Sequence, residues 1–506
     1  MKRIFTCIFT VLCSLAATAT DYNDRLTVII NGAKTEQNTT ISVDRQPDGR
    51  YTLSLENFIL TLEGQQMPVG NIVLKDIEGT QLNSTTELTT GQDITITEGT
   101  TPGVDFWTGP SLGPVPVKMA ARINGNRLKA AISIYMAALE QHIDVVFGKD
   151  DTGYQIANAD FENFRKEGST DEPLAWHSFG SASGKWASMA GKHCRVSTDT
   201  RTGTGKCASI YATSIFGIIA NGTMTTGRMN AGAINAADKA NHAYIDMSIP
   251  SIDSNGDPFY TPLGGRPDSL ALWINFKQAT PNATYPYATV SAAITNGTYY
   301  QDPEDKAYTN VVAKARNNTI ATTGGQWKRI AIPFEYIDRT IDGKALLVTI
   351  STNAVPGKGS HNDEILIDDI ELIYNTRLST LTIAGQPIAN LEHNKTEYRA
   401  TANRPIVADD IQAVATNEKS PIVKTVGAVS DRKQTAEITV FGEDLRTSTT
   451  YRVEISLNTT GIATVEAPTT PRTELYNIQG QRVRHMRHGQ VYIVKQADGR
   501  TRKVIK

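Results

Sequence analysis

Hydrophobic residues recur at every second position along most of this chain, in short runs that turn-forming residues separate. The runs at residues 27–30 and 51–55 are examples, and Pro47, Asp48 and Gly49 lie between two of the runs. This alternation is typical of β-strands, and the longer stripes of amphipathic helices are nearly absent. Only residues 133–141 have a mildly helical pattern. The chain is therefore predicted to be all-β.

The first 150 residues contain about eight such runs at even spacing, which favours an up-and-down barrel. The runs are residues 27–30, 40–43, 51–55, 71–74, 94–96, 116–119, 128–132 and 143–147. Residues 48–58 and 69–72 resemble the calycin-like domain of secreted proteins of gut-type bacteria, and the resemblance covers about residues 22–148. Calycins often hold apolar ligands inside the barrel. The favoured reading here is an interior filled by the barrel's own side chains.

A second unit begins near residue 154. Its opening at 158–164 and its closing strand at 364–374 resemble the ends of a jelly-roll, galactose-binding-like carbohydrate-binding module. The motifs between them are similar to those of the carbohydrate metabolism domain family known as PCMD. These motifs lie at residues 172–177, 203–208, 218–228, 257–259, 265–270 and 327–333. The Ala-rich insert at 230–243 departs from the family pattern, and we interpret it as a surface loop.

The remainder alternates again at residues 378–385, 396–400, 436–440 and 450–455, and it resembles an immunoglobulin-like or cadherin-like bacterial sandwich, whose expected role is a spacer. Residues 475–483, 489–494 and 504–506 resemble a C-terminal sorting signal of type IX secretion; the alternative is one hairpin appended to the sandwich. The predicted segments are a signal peptide at 1–20, a calycin-like β-barrel at 21–150, a jelly-roll β-sandwich at 151–376, a small Ig-like β-sandwich at 377–458, a linker at 459–470 and a β tail at 471–506.

The N-terminus predicts export. Lys2 and Arg3 precede an apolar run at 4–16, and residues 17–19 form an A-x-A-like cleavage site. The run is too short to cross a bilayer, and no later run is long enough. Cys13 raises the alternative of a lipoprotein, although the preceding Leu12 is bulky for that motif. We expect a secreted protein at the extracellular or outer-membrane surface, with partners there.

Charge and cysteine content narrow the function further. The formal net charge is −2, with no basic run, which disfavours nucleic acid as a partner. Outside the signal segment the cysteines are Cys194 and Cys207. A disulfide between them would contribute roughly 3 kcal/mol in an oxidising compartment. Two buried free thiols are the alternative, and the spacing disfavours a zinc site.

Sugar recognition combines aromatic rings that stack on pyranose faces with side chains that hydrogen-bond hydroxyls. Trp176, with His177 beside it, and Trp186 lie among Gly and Ser, so we predict exposed stacking positions there. Trp273 and Trp327 lie in strand-like runs and favour the core.

Two further places are predicted to contribute polar groups to the sugar site. Arg266 and Asp268 bracket a proline in a turn, where a structural ion pair is the favoured alternative. His361 and Asp363 lie at the entry to the last strand of the jelly roll.

A structural Ca²⁺ is predicted where the first and last strands of the jelly roll meet. Glu162, Asp368 and Asp369 would be neighbours there, and Ca²⁺ accepts such hard oxygen ligands. In the alternative, these acids face solvent or pair with lysines. No other cofactor is expected.

No phosphate-binding loop, HExxH zinc helix or GxSxG elbow occurs in the sequence. The first functional hypothesis is a surface-displayed carbohydrate-binding protein that captures a glycan or polysaccharide. The alternative is a glycoside hydrolase with a carboxylate pair in the jelly roll. A structural or adhesive surface protein is the second alternative. These three readings rest on resemblance at the level of the fold.

Overall fold

The computed structural model describes residues 19–62, 64–136, 139–149, 153–189, 191–392, 394–458, 474–477, 481–495 and 500–505. The predicted signal peptide and linker lie almost entirely outside this range. Strands dominate the described chain, and its helical segments are short 3₁₀ turns at Gly109–Leu112, Phe179–Ser181, Ala187–Met189 and Ala408–Asp410. No helix in the described part is long and apolar enough to span a membrane. The all-β prediction is confirmed.

Eight antiparallel strands form a closed barrel at the N-terminus, as the alternating pattern predicts. They are β1 (Thr20–Ile30), β2 (Ala33–Arg45), β3 (Tyr51–Leu62), β4 (Gln65–Leu82), β5 (Thr85–Thr95), β6 (Pro114–Asn124), β7 (Arg127–Met136) and β8 (Gln141–Phe147). The barrel closes between β1 and β8, where Leu26 is opposite Phe147. Residues 133–136 continue β7, so the helical prediction is wrong there, because cross-strand pairing with β8 outweighs local pattern.

The barrel interior is filled by side chains that every strand contributes. Leu26 of β1, Leu53 of β3, Leu88 of β5 and Phe147 of β8 are almost fully buried within one apolar cluster. Alternate residues of each strand point inward, so eight strands fill a barrel of this size with their own side chains. This arrangement agrees with the favoured reading of the sequence.

A second unit, here called the middle sandwich, comprises the described residues from 153 to 376. Its strands are β9 (Phe164–Glu167), β10 (Thr170–Pro173), β11 (Cys194–Ser197), β12 (Cys207–Tyr211), β13 (Thr213–Ile215), β14 (Ile218–Ala220), β15 (Thr223–Thr225), β16 (Arg228–Ala231), β17 (Asn241–Ile245), β18 (Thr261–Pro262), β19 (Ser269–Lys277), β20 (Ala288–Thr295), β21 (Tyr300–Asp302), β22 (Val311–Ile320), β23 (Lys328–Pro333), β24 (Glu335–Tyr336), β25 (Ala345–Ser351) and β26 (Glu364–Ile373).

Two sheets of the middle sandwich enclose its main core. One has the order β11-β12-β26-β19-β23, and the other has the order β15-β25-β20-β22-β24, with β18 also paired to β25. Leu272 and Ile274 from the first sheet meet Val290 and Val348 from the second in one buried cluster. A smaller sheet, β16-β17-β21, covers part of the outer face of the second sheet over a separate apolar cluster. Both ends of the insert at 230–243 belong to paired strands, β16 and β17. The interpretation of the whole insert as a surface loop is therefore wrong.

The third unit has two sheets, of order β28-β27-β30 and β29-β33-β32-β31, which share a core. Its strands are β27 (Leu378–Ile383), β28 (Gln386–Pro387), β29 (Glu397–Ala402), β30 (Ile411–Ala415), β31 (Ile422–Val426), β32 (Lys433–Phe441) and β33 (Ser448–Leu457). Three strands of the tail form a separate sheet: β34 (Glu474–Asn477), β35 (Val491–Lys495) and β36 (Thr501–Ile505). The sorting-signal assignment stays a prediction.

The three larger units meet at one junction. Arg122 of the barrel donates a hydrogen bond of 3.0 Å to the main-chain oxygen of Glu443 in the third unit. The Glu443 carboxylate accepts a bond of 2.9 Å from the amide of Arg266 in the middle sandwich. Beside them the barrel and the third unit share an apolar cluster: Ala120, Ala131, Val423, Phe441 and Leu445.

Candidate functional site

A cleft of about 280 Å³ lies on the outer face of the second sheet of the middle sandwich. Alternation along the strands creates two different faces there. In β25, Val348 and Ile350 point into the core, whereas Thr349 and Ser351 line the cleft. The floor of the cleft consists of polar side chains from four adjacent strands: Thr223, Thr289, Ser291, Arg316, Asn318, Thr349 and Ser351.

Strand register aligns these floor residues in two rows. Ser351 lies between Thr223 of β15 and Thr289 of β20, and Thr349 is opposite Ser291. Within the first row, Thr223 Oγ1 donates a hydrogen bond of 3.2 Å to Ser351 Oγ. The floor therefore presents closely spaced hydroxyl groups on a rigid sheet.

Two buried oxygen atoms of the cleft lining have no hydrogen-bond partner: Thr349 Oγ1 and Asn221 Oδ1. The Asn221 amide donates its Nδ2 hydrogens to the main-chain oxygens of Asn353 at 3.1 Å and Val355 at 3.4 Å, which fixes the orientation of Oδ1 as an acceptor. Buried polar atoms are normally paired. Both oxygens lie below the surface of the lining, so they are not contact points for a ligand in the cleft.

The charged groups of the cleft neutralise each other. Arg316 Nη2 donates to Asp302 Oδ1 at 2.5 Å, and Ser291 Oγ donates to the other carboxylate oxygen at 2.5 Å. Among the described residues that line the cleft, Asp302 is the one carboxylate. Glycoside hydrolysis uses two carboxyl groups roughly 5–9.5 Å apart across the bond. The cleft lining thus offers no such pair.

Apolar side chains form the walls. The hairpin of β13 and β14 turns at Phe216 and Gly217, with φ angles of 52° and 79°. Phe216 is 75% exposed, although a bulky residue with positive φ is strained. Other large wall residues include Trp186, Met189, Ile218 and Ile234. An exposed aromatic ring in a strained turn at the rim is a feature that folding alone does not require.

The main chain around Trp186 is bonded firmly to the edge of β16. The amide of Trp186 donates to the oxygen of Ala231 at 2.9 Å, and the amide of Ser183 donates to Met229 at 2.8 Å. Gly184 has a φ angle of 100°, and a Cβ there would lie 2.6 Å from the oxygen of Ala231, so only glycine fits. These contacts hold the half-buried Trp186 indole against the cleft. Trp186 is thus half-buried rather than fully exposed, and its stacking role stays a prediction.

Trp176 does not lie at the surface, so the prediction of a stacking position there is wrong. Its indole is fully buried in the main core, 5.3 Å from the ring of Phe161. Its Nε1 donates to the oxygen of Ala157 at 3.3 Å. The surrounding Gly and Ser residues suggested a loop, but the segment packs between the two sheets.

His177 is also buried, within a network of charged groups, and does not reach the cleft. Its Nε2 lies 3.2 Å from Asp253 Oδ2, and Arg165 Nη2 lies 3.1 Å from the same oxygen. Burial alone would raise the pKa of Asp253, but the hydrogen bond from His177, an amide bond from Asp257 and the charge of Arg165 lower it to about 2. The network is a structural element of the core.

The other predicted sugar ligands lie away from the cleft. Arg266 and Asp268 do not pair with each other. Asp268 accepts a bond of 2.8 Å from the amide of Asn375, and Arg266 contacts Glu443 at the junction. Asp363 is buried and accepts bonds from the amides of Ser360 at 2.7 Å and Ala279 at 2.8 Å, which stabilise two loops. Its neighbour His361 is exposed but is absent from the described lining of the cleft.

The predicted calcium ligands are engaged with cationic and amide groups. Asp369 forms an ion pair with Arg201, and Glu162 accepts a bond of 3.0 Å from the amide of Lys206. Burial, with the charge of Asp369 second, raises the pKa of Asp368 to about 6. Within the described residues no three His, Cys, Asp or Glu side chains are arranged to hold a metal ion. As arranged, these residues do not fit Ca²⁺, and the ion stays a prediction of the sequence.

Cys194 and Cys207 are both free and buried, so the predicted disulfide is wrong and the alternative reading applies. They lie on paired strands, but Cys194 is opposite Ile210 and Cys207 is opposite Ser197. This offset of three residue pairs separates them by about 10 Å along the strands. A disulfide requires Cα atoms closer than about 7 Å.

Both thiols are expected to resist alkylation in the folded protein. Burial raises the pKa of Cys207 to about 12 and that of Cys194 still further, so little thiolate forms near neutral pH. Mass spectrometry after treatment with iodoacetamide should detect label on these cysteines only after denaturation. A reductant should leave the melting temperature unchanged, and a drop would contradict the free-thiol assignment.

The polar floor was missed by the sequence reasoning, although a signal was present. Thr289 and Ser291 alternate with Val290 and Ala292, and Thr349 and Ser351 alternate in the same way with the apolar residues of β25. Small polar residues at every second position indicate the solvent face of a strand. Which strands are adjacent, and hence that these residues share one floor, is not encoded in that pattern.

Comparisons with known proteins identify the barrel. Residues 18–149 match the calycin-like beta-barrel domain, which agrees with the eight-stranded barrel and with the resemblance in the sequence. No curated protein matches the chain. A solved structure titled bifunctional GH43-CE from Bacteroides eggerthii is 11% identical, with a TM-score of 0.17. The match covers 72% of this chain and 54% of that chain, about half its length, and the likeness is too slight to carry an argument.

Proposed function

We propose that this protein binds a neutral glycan in the cleft of the middle sandwich. The observation that carries the proposal is the row of floor residues with hydroxyl groups, Thr223, Ser351 and Thr289, in a cleft that Trp186 and Phe216 border. Saccharides have hydroxyl groups around the ring edge and apolar C–H faces. A hydroxyl-lined floor with aromatic walls complements both parts of such a ligand.

Charge favours a neutral sugar over an acidic one. Arg316 is the one arginine in the described lining, and its guanidinium group is already paired with the Asp302 carboxylate. An incoming carboxylate would have to displace this pair or remain without a cation in a half-buried site, which is unfavourable. Neutral hydroxyl groups need only the floor residues.

Trp186→Ala is expected to weaken glycan binding about tenfold or more, because the loss of an aromatic anchor in a binding cleft typically costs over 1 kcal/mol. Affinity gel electrophoresis of the full chain in galactomannan, arabinoxylan and laminarin measures this loss, and polygalacturonate serves as the charged counterpart. Trp273→Ala is the matched control. That indole lies on the other sheet beside Arg201, 4.7 Å from the guanidinium carbon, and its removal should leave retardation unchanged.

Three outcomes would contradict the proposal: no retardation in any neutral polysaccharide, equal binding by Trp186→Ala and the parent chain, or a preference for polygalacturonate. The hydrolase alternative predicts that reducing ends appear when the protein is incubated with the retained polymer.

Secretion and display at the cell surface, which the N-terminus and the tail suggest, are part of the same proposal. Detection of the mature chain outside the cell, beginning near Asp21, tests them.

A further inference from the structure

A row of aromatic side chains lies on the small sheet β16-β17-β21 and the loop that follows it. The ring centroids of Tyr244 and Tyr299 are 5.9 Å apart, and those of Tyr299 and Tyr308 are 6.3 Å apart. All three rings are partly exposed, and Tyr299 is 36% exposed. This tyrosine row lies outside the main core, and Tyr308 also packs against the smaller apolar cluster.

Hydrogen bonds hold the tyrosine row in place. Tyr299 Oη donates to Gln301 Oε1 at 2.7 Å, and Tyr308 Oη donates to Asp305 Oδ1 at 2.7 Å. The Tyr244 hydroxyl lies 3.3 Å from Ser183 Oγ. With each hydroxyl anchored, the rings lose little conformational entropy when a ligand stacks on them, which favours affinity.

His242 connects the tyrosine row to the cleft. Its imidazole lines the cleft, lies 5.7 Å from the ring of Tyr244 and lies 3.2 Å from the Tyr299 hydroxyl through Nε2. Asp302, which also lines the cleft, belongs to β21, the strand that begins next to Tyr299. The two surfaces are therefore continuous.

We propose that the glycan is a polymer whose chain leaves the cleft past His242 and continues on the tyrosine row. This inference rests on the proposed function and defines its ligand as a polysaccharide rather than a mono- or disaccharide. Aromatic rings in a row suit successive sugar units because each unit offers another apolar face. When one polysaccharide molecule occupies both surfaces, its second contact is intramolecular. The overall affinity for the polymer is therefore higher than the affinity for a fragment that fills the cleft alone.

The test compares polymers with short fragments of the same repeat on the full chain: galactomannan with mannobiose, arabinoxylan with xylobiose and laminarin with laminaribiose. The measured quantity is the ratio of the two affinities. In the parent chain the polymer is expected to bind at least roughly tenfold more tightly per site than its fragment. Tyr299→Ala and Tyr308→Ala should each lower that ratio several-fold, towards one.

Tyr211→Ala is the matched control, because Tyr211 is a half-buried tyrosine on β12 of the opposite sheet, beside Arg195. Its ratio should equal that of the parent chain, and thermal melting of each variant verifies folding. The inference is overturned if the affinity ratio is near one in the parent chain, or if both tyrosine-row variants keep the parent ratio. The proposed function survives that result as long as Trp186→Ala still weakens binding. If Trp186→Ala has no effect on either probe, the proposed function itself fails.

Discussion

Trp176→Ala is expected to destabilise the middle sandwich by about 3–5 kcal/mol, the usual cost of removing a large buried aromatic side chain. Trp176 is fully buried, contacts Phe161 and donates to the oxygen of Ala157. The alanine variant would leave a cavity between the two sheets and an unpaired carbonyl group. The core around it is close-packed and can collapse only in part to fill that space.

Thermal and urea unfolding of the full chain measure this loss, with the transition of the middle sandwich moving to lower temperature and lower urea. Trp273→Ala is again the control, because that indole is half-exposed and its loss should be clearly smaller. The opposite pattern, in which Trp176→Ala keeps its stability but loses glycan binding, would restore the stacking role that the sequence suggested.

Glu172→Ala is expected to cost about 3–5 kcal/mol as well, because it removes one partner of a buried ion pair and the acceptor of several buried hydrogen bonds. The Glu172 carboxylate is fully buried and accepts bonds from Arg165 Nη2 at 2.8 Å, from Ser178 N at 2.7 Å and from Ser178 Oγ at 2.5 Å. Without it, Arg165 would keep Asp253 at 3.1 Å and Glu167 at 3.5 Å, and the Ser178 donors would lose their acceptor.

The same hairpin of β9 and β10 provides the control. Lys166 and Asp171 are paired one position along from Arg165 and Glu172, at 2.6 Å, but the Lys166 side chain is 69% exposed. Lys166→Ala should therefore change the free energy of unfolding by about 0–1 kcal/mol. Urea unfolding of both variants gives the comparison. Equal losses from the two substitutions would mean that burial does not set the strength of the Arg165–Glu172 pair.

Strand positions in the barrel followed from the sequence with little help from tertiary structure. Residues 51–55 and 143–147 alternate and form parts of β3 and β8. Their residues alternate between interior and solvent, so each strand's own pattern specifies which residues face inward. The helical interpretation of 133–136 failed because that short stretch lacked a decisive period, and pairing with β8 determined its structure.

Candidate site residues were predicted less well, and the reason is physical. Trp176 and Trp186 lie in similar Gly- and Ser-rich sequence, yet one is buried between two sheets and the other lines a cleft. Burial depends on which segments pass over a residue, and here those segments are distant in the chain. Asn221, for example, is oriented by the main chain of Asn353 and Val355.

By itself, the sequence determined the all-β class, the eight strands of the barrel and the apolar face of each strand, because alternation is a local property that each strand carries. Tertiary structure alone decided that Cys194 and Cys207 are out of register and that Trp176 is sealed in the core. It also brought Thr223, Thr289 and Thr349 onto one polar floor. Register and sheet order depend on contacts between residues far apart in the chain, which no local pattern specifies.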